Sequence, residues 1–242
     1  MNFKKHIPNI FTLGNLLCGT LASVFAVGGY FEMTALFVVL GIFLDFFDGF
    51  FARIFNVSGE LGKQLDSLAD MVTSGVVPGI VLFILLGNNQ QIPYEINTEF
   101  KVSMGLPLIG LLVTLSACYR LAKFNLDTRQ SESFIGLPTP AMSLFIISLP
   151  LVQMHSDIDF VKDLIGNNYF LIGITILFSF LMNSEFYLFS LKFKNYGIRE
   201  NLFKYTLILL SIILLVTIEY LAVPVIIMCY VILSMLKNMK KV

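Results

Sequence analysis

Long apolar runs broken by short polar segments fill this chain from end to end. A helix needs roughly 20 such residues to cross the hydrocarbon of a bilayer, so the pattern predicts an all-α, polytopic transmembrane helical bundle. Pro8 and Asn9 open a first span, 9–27, and Gly28-Gly29 breaks it. A second span covers 33–51, with turn residues Asn56, Ser58 and Gly59 in the loop 53–61 that follows. The third covers 62–86, and a polar loop, 87–101, leads to a fourth at 102–122. After the polar loop 123–138 comes a short fifth span, 139–154, then a polar stretch, 155–167, and a sixth span, 168–188. A basic loop, 190–204, precedes two closing spans, 204–220 and 222–236, separated near Pro224. The reading is one integral membrane domain of eight spans: a juxtamembrane segment 1–8, a six-span core 9–188 and two additional spans in 204–236.

Charge adds an orientation. Placing both termini in the cytoplasm puts fourteen of the sixteen Lys and Arg residues on the inner side and leaves Lys101 and Lys162 outside, as the positive-inside rule requires. Hydrophobic residues make up 57% of the chain, charged ones 13%, and the net charge is zero, so nothing points to a nucleic-acid partner. Cys18, Cys118 and Cys229 are far apart in apolar runs and frame neither a disulfide nor a zinc site. The first apolar run passes into a second span without a clear cleavage site, which reads as an uncleaved first span.

Chemistry concentrates between residues 45 and 70. Asp45 and Asp48 share a helix face near the end of the second span, and Asp66 and Asp70 share one at the start of the third. An antiparallel hairpin would bring all four carboxylates together near the inner membrane surface. Their repulsion and desolvation call for a divalent cation, and oxygen ligands suit Mg²⁺, Mn²⁺ or Ca²⁺. Gly49, Ala52 and Gly62 clear the helix backbones beside these acids for close approach of a ligand, or of another helix. Asn9, Thr12 and Asn15 fall on one face of the first span. A cation transporter built on the acid cluster is the reading outside enzymes, but the acids lie near one face and the chain shows no duplicated half.

The spacing D-x2-D-G-x2-A-R-x8-G-x3-D-x3-D, filled at every fixed position by Asp45, Asp48, Gly49, Ala52, Arg53, Gly62, Asp66 and Asp70, resembles the motif of the CDP-alcohol phosphatidyltransferases. The resemblance implies transfer of a phosphatidyl group from CDP-diacylglycerol to an alcohol, with release of CMP. It implies that Asp45, Asp48, Asp66 and Asp70 hold metal, and that Asp70 also acts as general base. It places Gly49, Ala52, Arg53 and Gly62, with Thr12 and Asn15 of the first span, beside the nucleotide, and it implies a homodimer among membrane lipids.

Two further segments, Tyr119-Arg120-Leu-Ala-Lys123-Phe-Asn125 and Phe134-Ile-Gly136-Leu137-Pro138-Thr139-Pro140-Ala141, resemble the branch of that family whose acceptor is L-serine and whose product is phosphatidylserine. Lys123 stands where that pattern carries Arg, so no contact is assigned to it. Arg120 suits the serine carboxylate as a bidentate partner, and Asn125, Gly136, Pro138 and Thr139 complete the expected acceptor site. A phosphorylated acceptor, such as glycerol 3-phosphate or an inositol phosphate, is the alternative, although its pocket needs several cations close together. No H-x-K-x4-D sequence is present, which argues against the phospholipase-D-like route to the same product.

Overall fold

A computed structural model describes residues 6–57, 59–89, 105–127, 133–190, 197 and 201–239. The juxtamembrane Lys4 and Lys5, Ser58, most of the 87–101 loop with Lys101, Arg129, Lys192, Lys194, Arg199 and the tail Lys240 and Lys241 lie outside them, as does the side chain of Phe134.

Helix α1 (Ile7–Val27) starts with Pro8 in its first turn, where a missing N–H costs nothing. It turns back at Gly28-Gly29 into α2 (Phe31–Ile54), the helix it packs against most closely. The third rod is composite: α3 (Glu60–Met71), a π-helical segment (Val72–Val76) and α4 (Val77–Asn88). Pro78 cannot donate to the carbonyl four residues back, and the wider π turn absorbs the missing bond. The Thr114 hydroxyl donates to the carbonyl of Gly75 in the same segment at 2.9 Å. A 3₁₀ turn (Pro107–Leu111) leads into α5 (Leu112–Leu126), and after β1 (Ser133–Ile135) come α6 (Thr139–His155), α7 (Asp159–Ile165) and α8 (Asn168–Asn183). Strand β2 (Tyr187–Phe189), α9 (Leu202–Ile218) and α10 (Ala222–Met239) close the chain.

The rod through α4 is central: 61% of its most apolar stretch is buried, against 17% for Phe31–Ile54. Val77, Val81, Leu82 and Leu86 of α4 pack with Met142, Phe145 and Ile146 of α6 and Phe178 of α8. The outer helices turn Phe43, Phe46, Leu209 and Val216 outward, as lipid-facing helices do. Where α1, α2 and the π segment meet, Gly41 has no side chain to spare: a Cβ there would stand 2.8 Å from both Asn15 Oδ1 and Thr73 Cγ2.

Five helical stretches among the described residues are long and apolar enough to span a membrane, and six if the α7–α8 pair, bent by 68°, is one. The structure thus shows an all-helical protein with five or six such stretches, where the hydropathy pattern led us to expect eight. The difference lies in α6, with 17 residues, and in Leu202–Asn238, which counts as one stretch although Glu219 (φ 46°) interrupts it and α9 packs on α10.

Three local expectations are corrected. The sixth span stops at Asn183 rather than 188, because Ser184 turns extended (ψ 151°) and residues 187–189 pair as a strand. That strand runs antiparallel to β1, so the loop 123–138 contains a strand and the fold carries a two-stranded ribbon. The polar stretch 155–167 contains α7.

The ribbon explains Gly136. Its N–H donates to Phe186 O at 2.8 Å, its φ is +74°, and a Cβ would strike the carbonyl of Met182. Gly136→Ala is therefore expected to destabilise the protein by about 1–3 kcal/mol, read as a lower melting temperature in detergent.

Candidate active site

Asp45 and Asp48 project from one face of α2, and Asp66 projects from α3 to meet them. One carboxylate oxygen from each lies within 4.8 Å of the others. Asp48 is buried, and the Thr12 hydroxyl donates to its Oδ2 at 2.6 Å. Pro8 O, at 3.2 Å, is the more distant acceptor for the same proton. Asp45 Oδ1 is buried without a hydrogen-bond partner among the described residues. A buried carboxylate oxygen left bare beside two other carboxylates is costly unless a cation meets it. The donor set is all oxygen, which fits a hard divalent ion.

Asp70, one turn beyond Asp66, is not one of the three whose oxygens come within 4.8 Å of one another, but it lies within electrostatic reach of all of them. Asn15 Nδ2 donates to Asp70 Oδ1 at 3.1 Å, while Asn15 Oδ1 accepts from Thr73 Oγ1 at 2.7 Å. Thr73 fixes which way the Asn15 amide points, so a nitrogen and not an oxygen faces Asp70. The sequence analysis did not single out Thr73, although it lies three residues after Asp70 on the same face. Asp70 is also the acid that lies within electrostatic reach of Arg120.

A cavity of about 430 Å³ opens beside the triad between α1, α2 and α3. Thr12, Asp48 and Asp66 line it together with Gly49, Ala52, Gly62 and Asn9. A Cβ on Gly49 would meet nothing within 4 Å, so that backbone borders open space. Arg53 does not join them. Its Nε donates to Gly49 O at 2.9 Å on an exposed surface, where it pairs neither with the acids nor with the cavity.

On the other side of Asp70, Arg120 is 7% exposed, and its Nε has no hydrogen-bond partner among the described residues. Its guanidinium lies 5.9 Å from the Phe124 ring, in a small recess shared with Ile135, Met182 and Asn183. Asn183 Oδ1 and the fully buried Thr139 Oγ1 are likewise unpartnered among the described residues. The remaining acceptor candidates are occupied structurally. Asn125 Nδ2 donates to Ser67 at 2.8 Å, and Lys63 donates to the Asn125 carbonyl, which ties α5 to α3. Gly136 makes the close turn against Met182, and Pro138 precedes the first turn of α6.

A family model described as CDP-alcohol phosphatidyltransferase matches residues 5–187. The chain is 35% identical over 150 residues to the CDP-diacylglycerol–serine O-phosphatidyltransferase of Bacillus subtilis, covering 60% of this chain and 75% of that one. It is 32% identical over 148 residues to the Helicobacter pylori (strain J99) protein of the same name, covering 60% of this chain and 57% of the relative. The archaetidylserine synthase of Methanothermobacter thermautotrophicus is 28% identical over 167 residues, 65% of each chain. The chain thus spans less than two thirds of the length of the last two.

Proposed function

The chain belongs to the CDP-alcohol phosphatidyltransferase family, and from that membership we propose that it moves the phosphatidyl group of CDP-diacylglycerol onto the hydroxyl of L-serine, giving phosphatidylserine and CMP. The observation that carries the acceptor assignment is Arg120. It is a buried guanidinium whose Nε has no hydrogen-bond partner among the described residues, beside Asp70. One such fork anchors one carboxylate, and the other cation lining the recess, Lys123, lies 3.9 Å from Glu185 and so has its charge already met. The relatives named for serine transfer support the same reading.

Asp45, Asp48 and Asp66 would hold the divalent metal, Mg²⁺ or Mn²⁺. Held there, a divalent metal would supply positive charge to offset that of the pyrophosphate. The chain's own groups do the rest. Thr12 fixes Asp48, and the bare backbone at Gly49 and Gly62 admits the cytidine diphosphate into the cavity. Asn15 holds one oxygen of Asp70 and leaves the other to take the proton of the serine hydroxyl. The serine oxygen then bonds to the phosphatidyl phosphorus, and the electron pair of the broken bond leaves on CMP. Membership of a phosphatidyltransferase family supports group transfer as the acid cluster's role over the transporter reading. In the same reading the chain crosses the membrane eight times, with α9 and α10 as separate crossings, and the site faces the cytoplasm.

The test is CMP release by the purified protein in detergent with CDP-diacylglycerol and Mg²⁺ or Mn²⁺. L-serine, glycerol 3-phosphate and an inositol phosphate are supplied as separate acceptors. Release is expected with serine alone. Release only with a phosphorylated acceptor would overturn the serine assignment and leave the acid cluster's role standing.

A further inference from the structure

The segment matched by the family model ends at residue 187, yet the ribbon that walls the Arg120 recess is held from beyond that point. Ile135 of β1 lines the recess, and β1 is fixed by pairing with β2: Ile135 lies opposite Tyr187, and Phe134 opposite Leu188. Helix α10 grips β2 along its length. The Tyr230 hydroxyl donates to Phe189 O at 3.0 Å, and its ring meets Phe189 edge-on with centroids 5.3 Å apart. About two turns further on, Lys237 Nζ lies 5.2 Å from the centroid of the same Phe189 ring. Asn238 Nδ2 donates to Tyr187 O at 2.6 Å. The backbone edge of β2 is therefore satisfied by β1 on one side and by α10 side chains on the other. A two-stranded ribbon with three residues per strand is too short to be stable alone. Its position, and that of the Gly136–Thr139 turn that follows it, depends on this grip.

Tyr230 does more than close the strand edge. Its oxygen lies within electrostatic reach of the Arg120 guanidinium. Its proton is committed to Phe189 O, so the phenol presents only acceptor character to the cation.

We propose that Tyr230, on the C-terminal hairpin outside the family-matched segment, is a positioning residue for the acceptor: it fixes the ribbon wall and the orientation of Arg120, and so sets affinity for the serine carboxylate without touching the reacting atoms. The inference rests on Arg120 as the carboxylate anchor. It makes the α9–α10 hairpin part of acceptor recognition and not only a membrane anchor.

Tyr230→Phe keeps the ring against Phe189 and removes the hydroxyl. It is expected to raise the KM for L-serine about tenfold, the worth of one net hydrogen bond, with kcat and the KM for CDP-diacylglycerol unchanged and the melting temperature in detergent lowered by no more than a few degrees. In an Arg120→Lys background the same substitution is expected to add little, because coupled residues are not additive. Three results overturn the proposal: no change in serine KM, a loss of kcat and both KM values together with thermal stability, or full additivity with Arg120→Lys. If the unsubstituted protein does not use serine, the acceptor assignment has failed instead, and that is seen before any variant is compared.

Discussion

Asp70→Asn is expected to lower kcat for CMP release by about 10²–10⁴-fold, the range a positioned general base contributes. The substitution preserves shape, and the new amide oxygen can still accept from Asn15 Nδ2 as Asp70 Oδ1 does at 3.1 Å. What it removes is the capacity to take a proton and the charge facing Arg120. Among the described residues, Asp45, Asp48 and Asp66 bring oxygens within 4.8 Å of one another, so the metal is expected to be retained. Titration of the purified protein with Mn²⁺, followed by electron paramagnetic resonance, is expected to give nearly the same affinity for Asp70→Asn as for the parent. Asp66→Asn should lose both affinity and turnover. Equal loss of Mn²⁺ from the two variants would make Asp70 a ligand first, and the proton would need another destination.

The acids and their helices were legible because spacing on a regular helix is arithmetic. Asp45 with Asp48, and Asp66 with Asp70, could be placed on faces, and α1 and α2 begin and end within a few residues of the expected limits. Thr12 and Asn15 followed from the same periodicity, and they hold Asp48 and Asp70 respectively. The partner of Asp70 was not legible. It depends on tertiary position: Asn15, from a helix far away in sequence, donates to one of its oxygens and is itself held by Thr73. The π segment was hidden as well, since Val72–Val76 reads as ordinary apolar helix and only the following Pro78 hints at a disturbed ladder.

The acceptor side was read less well, for a physical reason. Its residues were chosen from a loop, and loops have no period. Gly136 and Pro138 shape the chain, Asn125 ties helices together, and Arg120 and Thr139 keep buried polar atoms without protein partners. The strand pairing that fixes this region joins residues more than fifty positions apart. Tyr230 enters from a hairpin whose sequence resembles plain membrane anchor. Neither relation leaves a local mark.

Arg120→Lys should reduce kcat/KM for L-serine by about 10–100-fold, the usual worth of hydrogen bonds to a charged group. Lysine retains the positive charge near Asp70 but replaces a planar fork with a point charge, which cannot grip a carboxylate through two parallel bonds. The sign of the effect on ethanolamine, which is serine without its carboxylate, separates two roles for the residue. If Arg120 binds the acceptor carboxylate, ethanolamine is a poor acceptor for the parent protein, and the substitution leaves its turnover nearly unchanged. The preference for serine then shrinks by the same factor as serine kcat/KM. If Arg120 acts instead by holding Asp70 ready for the proton, both acceptors lose turnover equally and the preference stays as it was. The buried Nε of Arg120, unpartnered among the described residues, favours the first outcome: a guanidinium placed only to steady Asp70 has no reason to keep a bare donor, whereas one waiting for a carboxylate does.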